Sequence, residues 1–479
     1  MSLESAEHIL GRLGTPVKGL TADSRKAGPG LVFAAYPGTS LDGRDFISKA
    51  IASRVDGVLW EKKAYVWDPA WSLPNAAVED LKNRVGEIAS AVYGQPSRHL
   101  HLVGVTGTNG KTSVAHWIAQ SLNRVGRSTA VLGTLGNGFP ESLSPSANTT
   151  PDAIELQQSL AQYLKQGAQA CAMEVSSHGL DQGRAGGCQF DVGVLTNLSR
   201  DHLDYHGSMD AYAAAKARLF DWPGLNSAVL NLDDAFGREL EGRLKGPRIA
   251  GYGFERGSVI GELRHADRAG LALAIRSDWG QADLRVPVVG RFNASNSLAA
   301  LTALLVSDVP LDRACEALAQ IVPPPGRMQT LGGGAQPLVV VDYAHTPDAL
   351  EKVLASLRKI SPQGRLVCVF GCGGNRDRGK RPLMGRAASE GADSVIVTSD
   401  NPRHEDPLAI IDDITPGMKA GYKVEPDRAR AIFEAVSMAR AADVVLIAGK
   451  GHEDYQEIGD ERHPFSDVEA ALRALEAWS

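Results

Sequence analysis

The run Val103-Gly104-Val105-Thr106-Gly107-Thr108-Asn109-Gly110-Lys111-Thr112 has the residue types needed to hold a nucleotide by its phosphates. Leu102, Val103 and Val105 read as a strand, the glycines as a tight turn, and a helical pattern starts at Ser113. Such a turn aims backbone N–H groups outward at a helix N-terminus, where they can cradle phosphate oxygens. Lys111 can reach the terminal phosphates, and the Thr112 hydroxyl can ligate Mg²⁺. The strict phosphate-loop pattern asks for glycine at 105, where this chain has valine. The shorter Thr-Gly-Thr-Asn-Gly-Lys-Thr is the more particular signature. The expectation is an ATP site on Gly107, Thr108, Asn109, Gly110, Lys111 and Thr112.

Two further strand-like runs end in reactive side chains. Ala170-Cys-Ala-Met-Glu-Val175 leads into Ser176-Ser177-His178, and Val192-Gly-Val-Leu-Thr196 leads into Asn197-Leu-Ser-Arg-Asp-His202. Glu174 and His202 are thus expected near one sheet edge with the phosphate loop. A carboxylate and an imidazole there suit a divalent cation that needs few protein ligands; a helix cap or a satisfied loop histidine is the alternative. Lys216 falls on an apolar helical face with Tyr212, Leu219 and Phe220, spaced i, i+4, i+7 and i+8. Burial would lower its pKa, and a neutral amine can take up CO₂ as a carbamate, an anionic metal ligand. Equally, the stem could be buried with the ammonium reaching solvent.

These residues need elements to hold them. Breaks at Tyr93-Gly94-Gln95-Pro96-Ser97-Arg98 and Pro323-Pro324-Pro325-Gly326-Arg327 divide the chain into 1–98, 99–325 and 326–479. A length of 479 residues fits about three domains. In the last segment, apolar runs 337–341, 365–370, 393–398 and 443–448 alternate with helical patterns, which predicts a parallel sheet covered on both faces. Each run ends in a polar cluster: Asp342-Tyr-Ala-His345, Gly371-Cys-Gly-Gly-Asn-Arg376, Asp400-Asn-Pro-Arg403 and Gly449-Lys-Gly-His-Glu453. Ligands of open α/β sheets bind outside the carboxyl ends of the strands, so a second ligand cleft is expected there.

Composition narrows the classes. With 43% hydrophobic and 22% charged residues, the chain reads as a soluble globular protein. A net charge of −6 gives no electrostatic case for nucleic acid. No run of about eighteen apolar residues predicts a membrane span, and Met1 to Leu10 lacks the apolar stretch of a signal peptide. Five cysteines (171, 188, 315, 368, 372) without zinc-like pairing read as reduced thiols of a cytoplasmic protein.

Taken in order, Thr106 to Thr112, Glu174-Val-Ser-Ser-His178, Asn197-Leu-Ser-Arg-Asp-His-Leu-Asp-Tyr-His206 and Tyr212-x-x-x-Lys216 resemble the Mur ligases. So do Gly290-Arg-Phe-Asn-x-x-Asn296, Asp342-Tyr-Ala-His-Thr-Pro347 and Asp400-Asn-Pro-Arg403. The resemblance runs from Asp23-Ser24-Arg25 to Gly449-x-x-x-Glu453 and is weakest before residue 98. It implies three domains: a small N-terminal α/β domain that binds the UDP-substrate, a central P-loop-like ATPase domain with a mainly parallel sheet, and a C-terminal Rossmann-like domain that binds an amino acid. The implied activity is ATP-dependent addition of meso-2,6-diaminopimelate to the D-glutamate γ-carboxylate of UDP-N-acetylmuramoyl-L-alanyl-D-glutamate, by a cytoplasmic monomer making peptidoglycan precursor.

By the same resemblance, Ser24 would hold the uridine end, and Asn148, Thr149, Thr150, Ser176, Gln182 and Arg184 the muramoyl-dipeptide. Lys111, Glu174, His202 and Lys216 would be catalytic, with Thr112, Glu174, His202 and carbamylated Lys216 on Mg²⁺. Asn293, Arg327, Asp342 and His345 would join the loop around ATP. Arg376, Asp400, Asn401, Pro402, Arg403, Gly449 and Glu453 would form the diaminopimelate pocket. Three alternatives remain. One is the same ligase using L-lysine; another is a related amide ligase such as folylpolyglutamate synthetase, which should lack the Asp-Asn-Pro-Arg cluster and the Asn148–Thr150 triplet. The third is an ATP-binding regulatory module without chemistry.

Overall fold

The computed structural model describes residues 4–38 and 41–478. The chain divides into two compact units. The first runs to Tyr252 and includes Arg256–Ser258 and Ala299–Val309; the second takes Gly253–Glu255, Val259–Leu298 and the chain from Pro310.

The first unit holds two sheets. Strands β1 (Leu20–Thr21), β2 (Val32–Ala35), β3 (Gly57–Glu61) and β4 (Asn75–Val78) pair in sequence order, all parallel. The larger sheet is built from β5 (His101–Thr106), β6 (Thr129–Gly133), β7 (Gly136–Phe139), β8 (Ser142–Ser144), β9 (Ala170–Glu174), β10 (Val192–Leu195), β11 (Ser227–Asn231) and β12 (Arg248–Gly253). Their spatial order is β12-β11-β10-β5-β9-β6-β7-β8. It is parallel as far as β6, and β7 and β8 return antiparallel. Register sets the functional edge: Thr106 stands opposite Leu195, and Val105 opposite Glu174, so three strands end nearly level. Beneath that edge, Leu102 of β5 joins Met173, Phe190, Leu219 and Phe220 in the core.

In the second unit, β13 (Val259–Asp267), β14 (Gly270–Ser277) and β15 (Gly280–Val286) form an antiparallel meander. A sheet of β16 (Gln329–Gly332), β17 (Leu338–Asp342), β18 (Leu366–Phe370), β19 (Ser394–Val397), β20 (Lys423–Val424) and β21 (Val444–Ala448) has the order β16-β17-β21-β18-β19-β20. All its pairings are parallel except that of β16. Strands buried on both faces need apolar residues at every position. Leu338, Val340, Cys368 and Leu446 enter one core, while Val339, Val341, Val369 and Ile447 enter the opposite one. Asp342 and Phe370 both stand level with Ala448, and Phe370 with Val397, so the expected polar clusters leave from one edge. The hairpin β22 (Tyr455–Ile458) and β23 (Glu461–Pro464) follows. The α/β class and the parallel sheets agree with the sequence; the meander was not foreseen.

Candidate active site

The phosphate loop joins β5 to a helix over Lys111–Arg124, which begins two residues before the expected Ser113. Valine at 105 has a structural reason: that position is still strand, buried between Glu174 of β9 and Val194 of β10. The turn proper starts at Gly107, with φ +147; a Cβ there would come within 1.9 Å of Thr196 Oγ1, which excludes any other residue. Gly110 (φ 85) starts the helix. The segment after β10 braces the loop. Thr108 N donates to Asn197 O (2.9 Å) and Asn109 N to Asn197 Oδ1 (3.1 Å), while Thr196 Oγ1 donates to Asn109 O (2.6 Å).

Two lysines converge on this loop. Lys111 Nζ donates to the carbonyls of Gly107 and Thr108, each at 2.9 Å, and Lys216 Nζ donates to Gly107 O at 2.8 Å. Lys216 is 1% exposed, on the helix Met209–Ala217, with its ammonium 4.4 Å from the centre of the Tyr212 ring. The solvent-reaching reading of Lys216 is therefore excluded. Burial, then the neighbouring Lys111 charge, hold its pKa well below the ordinary lysine value, opposed by Asp201. The helix ends at Ala217, so Leu219 and Phe220 follow in hydrogen-bonded turns; both are nonetheless buried as their spacing implies.

Glu174, 1% exposed at the end of β9, accepts from Thr112 Oγ1 (2.9 Å), Thr134 N (2.8 Å) and Thr134 Oγ1 (3.3 Å). Gly133 makes room for it, since a Cβ there would lie 2.3 Å from Glu174 Oε1. A hydroxyl and a carboxylate in contact at the start of the loop helix are hard oxygen donors that suit Mg²⁺. His202, in the left-handed region (φ 53), has Nε2 3.4 Å from Asp201 and its ring 4.8 Å from that of His178. His206 Nε2 lies 3.0 Å from Ser177 Oγ. Burial lowers the pKa of His202 and His206 and brings His178 down to about 4. Among the described residues, no three His, Cys, Asp or Glu side chains form a metal-holding group.

The residues expected to meet the muramoyl-dipeptide are mostly linked. Thr149 Oγ1 lies 3.0 Å from Thr134 Oγ1. Buried Thr150 donates to Glu174 O (3.0 Å), lies 3.1 Å from Ser176 Oγ, and offers its carbonyl to Arg184 (2.9 Å). Arg184 also grips Gln182 Oε1 (2.7 and 2.9 Å), and Gln182 reaches the Tyr205 hydroxyl (3.2 Å). Ser176 caps the short helix Ser177–Asp181. Asn148 is held through its carbonyl by Ser146 Oγ (2.8 Å). Ser24 sits apart on the β1–β2 loop, between Asp23 and Arg25, whose side chains pair at 2.8 Å.

In the second unit, Asp342 is buried and accepts from Met328 N (2.8 Å) and Ala344 N (2.9 Å); burial raises its pKa. The Arg327 guanidinium stacks 4.6 Å over the Tyr343 ring, and His345 Nδ1 lies 2.8 Å from Tyr343 O. Asn293 is buried in the first turn of the helix Arg291–Val306, donating to Val289 O (2.8 Å).

The Asp400–Arg403 cluster is the most heavily tied. Arg403 (φ 52) donates through Nε to Glu457 Oε2 and through Nη1 to Gly374 O, each at 2.9 Å. Arg403 does not pair with its sequence neighbours Glu405 and Asp406: Glu405 is held by buried Arg381 (2.8 Å), and Asp406 caps the helix Pro407–Ile414. Asn401 Nδ2 donates to Glu453 Oε2 (2.8 Å). Gly449 (φ 118) is needed because a Cβ would lie 2.8 Å from Asp400 Oδ2. Arg376 is exposed on the loop after β18, and Pro402 is buried. Sequence reasoning missed Lys450 and Glu457. Lys450 is fully buried and donates to Asn401 Oδ1 (2.8 Å) and Glu453 Oε2 (3.1 Å). The available signal was a lysine between two glycines directly after a wholly apolar strand.

Three family models match the chain: "Mur ligase family, catalytic domain" over residues 16–93, "Mur ligase middle domain" over 105–304, and "Mur ligase, glutamate ligase domain" over 326–451. A protein of Chromobacterium violaceum named UDP-N-acetylmuramoyl-L-alanyl-D-glutamate–2,6-diaminopimelate ligase is 53% identical, over 98% of this chain and 96% of its own. The Pseudomonas aeruginosa protein of that name is 52% identical, over 96% of both chains. A solved structure of such a ligase aligns with a TM-score of 0.72 at 40% identity, covering 97% of this chain and 96% of its own. A Mycobacterium tuberculosis folylpolyglutamate synthase structure, at 19% identity, a TM-score of 0.64 and coverage of 77% and 92%, shares the fold alone.

Proposed function

The chain belongs to the Mur ligase family, and we propose that it adds meso-2,6-diaminopimelate to the D-glutamate γ-carboxylate of UDP-N-acetylmuramoyl-L-alanyl-D-glutamate, with ATP as co-substrate. The observation that carries this reading is Arg403. Its Nε and Nη1 are fixed by Glu457 and Gly374, and Nη2 makes no hydrogen bond among the described residues. A guanidinium anchored through two nitrogens and with its third still a donor can take a carboxylate oxygen, which diaminopimelate carries at its far end and L-lysine lacks. The Asp400-Asn-Pro-Arg403 cluster and the Asn148–Thr150 triplet also speak against folylpolyglutamate synthesis.

Peptide-bond formation from a free carboxylate is uphill in water, so the acid needs activation. The γ-carboxylate attacks the γ-phosphate of ATP, giving an acyl phosphate and ADP. The diaminopimelate amine then attacks that carbonyl, and the tetrahedral intermediate expels phosphate. Charge builds on the phosphoryl oxygens in the first step, and Lys111 stabilises it after leaving the loop carbonyls for the phosphate. Thr112, Glu174, His202 and carbamylated Lys216 are the residues that would hold Mg²⁺, which supplies charge neutralisation at the phosphates; the Thr112–Glu174 contact fits that ion. Asn293, Arg327, Asp342 and His345 serve the rest of the nucleotide. The Thr150–Ser176–Gln182–Arg184 network, with Asn148 and Thr149, orients the dipeptide, and Ser24 holds the uridine end.

Domain boundaries at 98/99 and 325/326 belong to the same reading, as do a monomeric state and a cytoplasmic location. For the last, the support is that no helix among the described residues is long and apolar enough to cross a membrane. Phosphate release from ATP with the UDP-muramoyl-dipeptide and a panel of amino acids tests the assignment. Release with meso-diaminopimelate well above that with L-lysine is expected; equal use of both would end it.

A further inference from the structure

We propose that Lys450 is a specificity-determining residue, whose buried ammonium sets the charge of the amino-acid pocket so that a zwitterionic far end is accepted and a cationic one refused. The inference rests on the diaminopimelate reading and concerns a residue to which that reading gives no role. Lys450 has no solvent exposure, and three groups converge on its Nζ: Asn401 Oδ1 at 2.8 Å, Glu453 Oε2 at 3.1 Å and Asp400 Oδ1 at 3.8 Å. The Tyr455 ring lies on another side, with its centre 5.5 Å away. A lysine in such a place cannot reach solvent, so its pairing with Asp400 and Glu453 belongs to the pocket itself.

The charges can be summed. Asp400 and Glu453 contribute two negatives, and Lys450 offsets one of them. Glu457 contributes one negative and meets two cations, Arg403 at 2.9 Å and exposed Arg462 at 3.3 Å, which leaves one positive there. Arg428, the next buried cation, is matched by buried Asp467 at 2.7 Å. What remains is one unbalanced carboxylate beside Lys450, enough for one substrate ammonium, and one unbalanced cation around Glu457, enough for one substrate carboxylate at Arg403, so the pocket as a whole is neutral. The far end of meso-diaminopimelate carries both groups and has no net charge. That of L-lysine carries only the ammonium and brings a net positive charge towards the Lys450 ammonium without an anion for Arg403. Refusal of the wrong amino acid thus comes from repulsion as well as from a lost contact.

Lys450 also fixes Asn401, whose Oδ1 accepts from Glu457 N (3.0 Å) and whose Nδ2 holds Glu453. A purely structural role would make every amino-acid substrate worse by the same factor. A charge-setting role changes their ratio, and in a predictable direction.

The experiment measures kcat/KM for meso-diaminopimelate and L-lysine in the full-length enzyme, with calorimetric binding of each amino acid as a second readout. In Lys450→Met the pocket gains one negative charge, and the ratio should shift towards L-lysine by about tenfold or more, the scale of one charge interaction in a partly screened site. Lys450→Arg keeps the charge and should keep the wild-type ratio. Glu453→Gln removes a negative charge with Lys450 in place, so the ratio should move the other way; it remains informative if Lys450→Met fails to fold. An unchanged ratio in both Lys450→Met and Glu453→Gln, with both substrates impaired equally, would overturn the inference. Wild-type enzyme that does not prefer meso-diaminopimelate would instead refute the underlying functional reading.

Discussion

Lys216 Nζ donates to the Gly107 carbonyl at 2.8 Å, and that oxygen also accepts from Lys111 at 2.9 Å. Burial penalises the charged form, and two ammonium groups sharing one acceptor repel each other besides, which is why the Lys216 pKa falls. The neutral amine is the form that adds CO₂, and the carbamate would replace repulsion of Lys111 by attraction. Lys216→Ala should therefore be inactive and regain part of its activity when acetate or another short-chain carboxylate is supplied. An intact-mass measurement showing unmodified Lys216 in fully active enzyme would refute the carbamate.

Lys111→Ala should abolish phosphate release while leaving the thermal unfolding midpoint nearly unchanged, because its ammonium sits at the loop, on the carbonyls of Gly107 and Thr108. Losing a charged phosphate contact costs several kcal/mol of transition-state stabilisation. Ordinary turnover by Lys111→Ala would remove the loop from the mechanism.

Arg403→Ala should lower kcat/KM for meso-diaminopimelate by about two orders of magnitude or more, the scale of a lost buried charge contact. Glu457→Gln weakens the anchor that aims the guanidinium, and its contact with Arg462, but keeps the guanidinium itself, so its loss should be smaller and fall mainly in KM. Equal losses in the two variants would mean that Arg403 acts through Glu457 rather than on the substrate.

Much of this geometry was legible because local chemistry dictated it. Glycine at 107 follows from the tight turn, whose φ of +147 suits glycine, the apolar runs from two-sided burial, and the spacing of Tyr212 and Lys216 from a helix. What escaped depended on partners distant in sequence. Arg403 meets Glu457 only because the β22 hairpin carries that carboxylate back to the Asp400 loop, and no local pattern at 403 announces it. Lys450 stands out as a lysine between two glycines, but its partners Asn401 and Asp400 lie on a distant loop, so the stretch alone does not tell where its side chain goes. The β13–β15 meander escaped for another reason: in β14 the buried Leu271, Leu273 and Ile275 alternate with Ala272 and Ala274, whose apolar side chains mask the half-buried pattern.

Acid should destabilise the protein before its carboxylates titrate. Burial, as the largest cause, brings His101, His178 and His452 down to about 4. Between that value and the ordinary 6.5, the unfolded chain binds protons that the folded chain does not, so stability falls as pH drops through that window and levels off below it. The unfolding midpoint should be lower at pH 5 than at pH 7, with the Arg327 and Lys450 charges adding to burial in opposing protonation of His452. An unfolding midpoint that stayed flat from pH 7 to pH 4.5 would show these imidazoles to titrate normally.

The buried pair of Arg428 and Asp467 allows stability and positioning to be separated. Arg428 donates to Asp467 through Nε (2.7 Å) and Nη2 (2.8 Å), and also to Ser399 O (3.2 Å) and Ala448 O (3.0 Å). Those two carbonyls immediately precede Asp400 and Gly449, so one guanidinium ties together the strand ends from which the amino-acid pocket is built. Asp467→Ala leaves a buried, unmatched cation and should cost about 3–5 kcal/mol, read as a large fall in denaturant midpoint. Arg428→Met with Asp467→Leu removes both charges and should recover most of that stability, since an apolar pair of similar volume often does as well as a buried ion pair. The carbonyl anchors are not recovered by that double change. It should therefore raise the KM for meso-diaminopimelate while the KM for ATP stays near wild type. If stability and the meso-diaminopimelate KM returned together in the double variant, Arg428 would be a core element with no part in shaping the pocket.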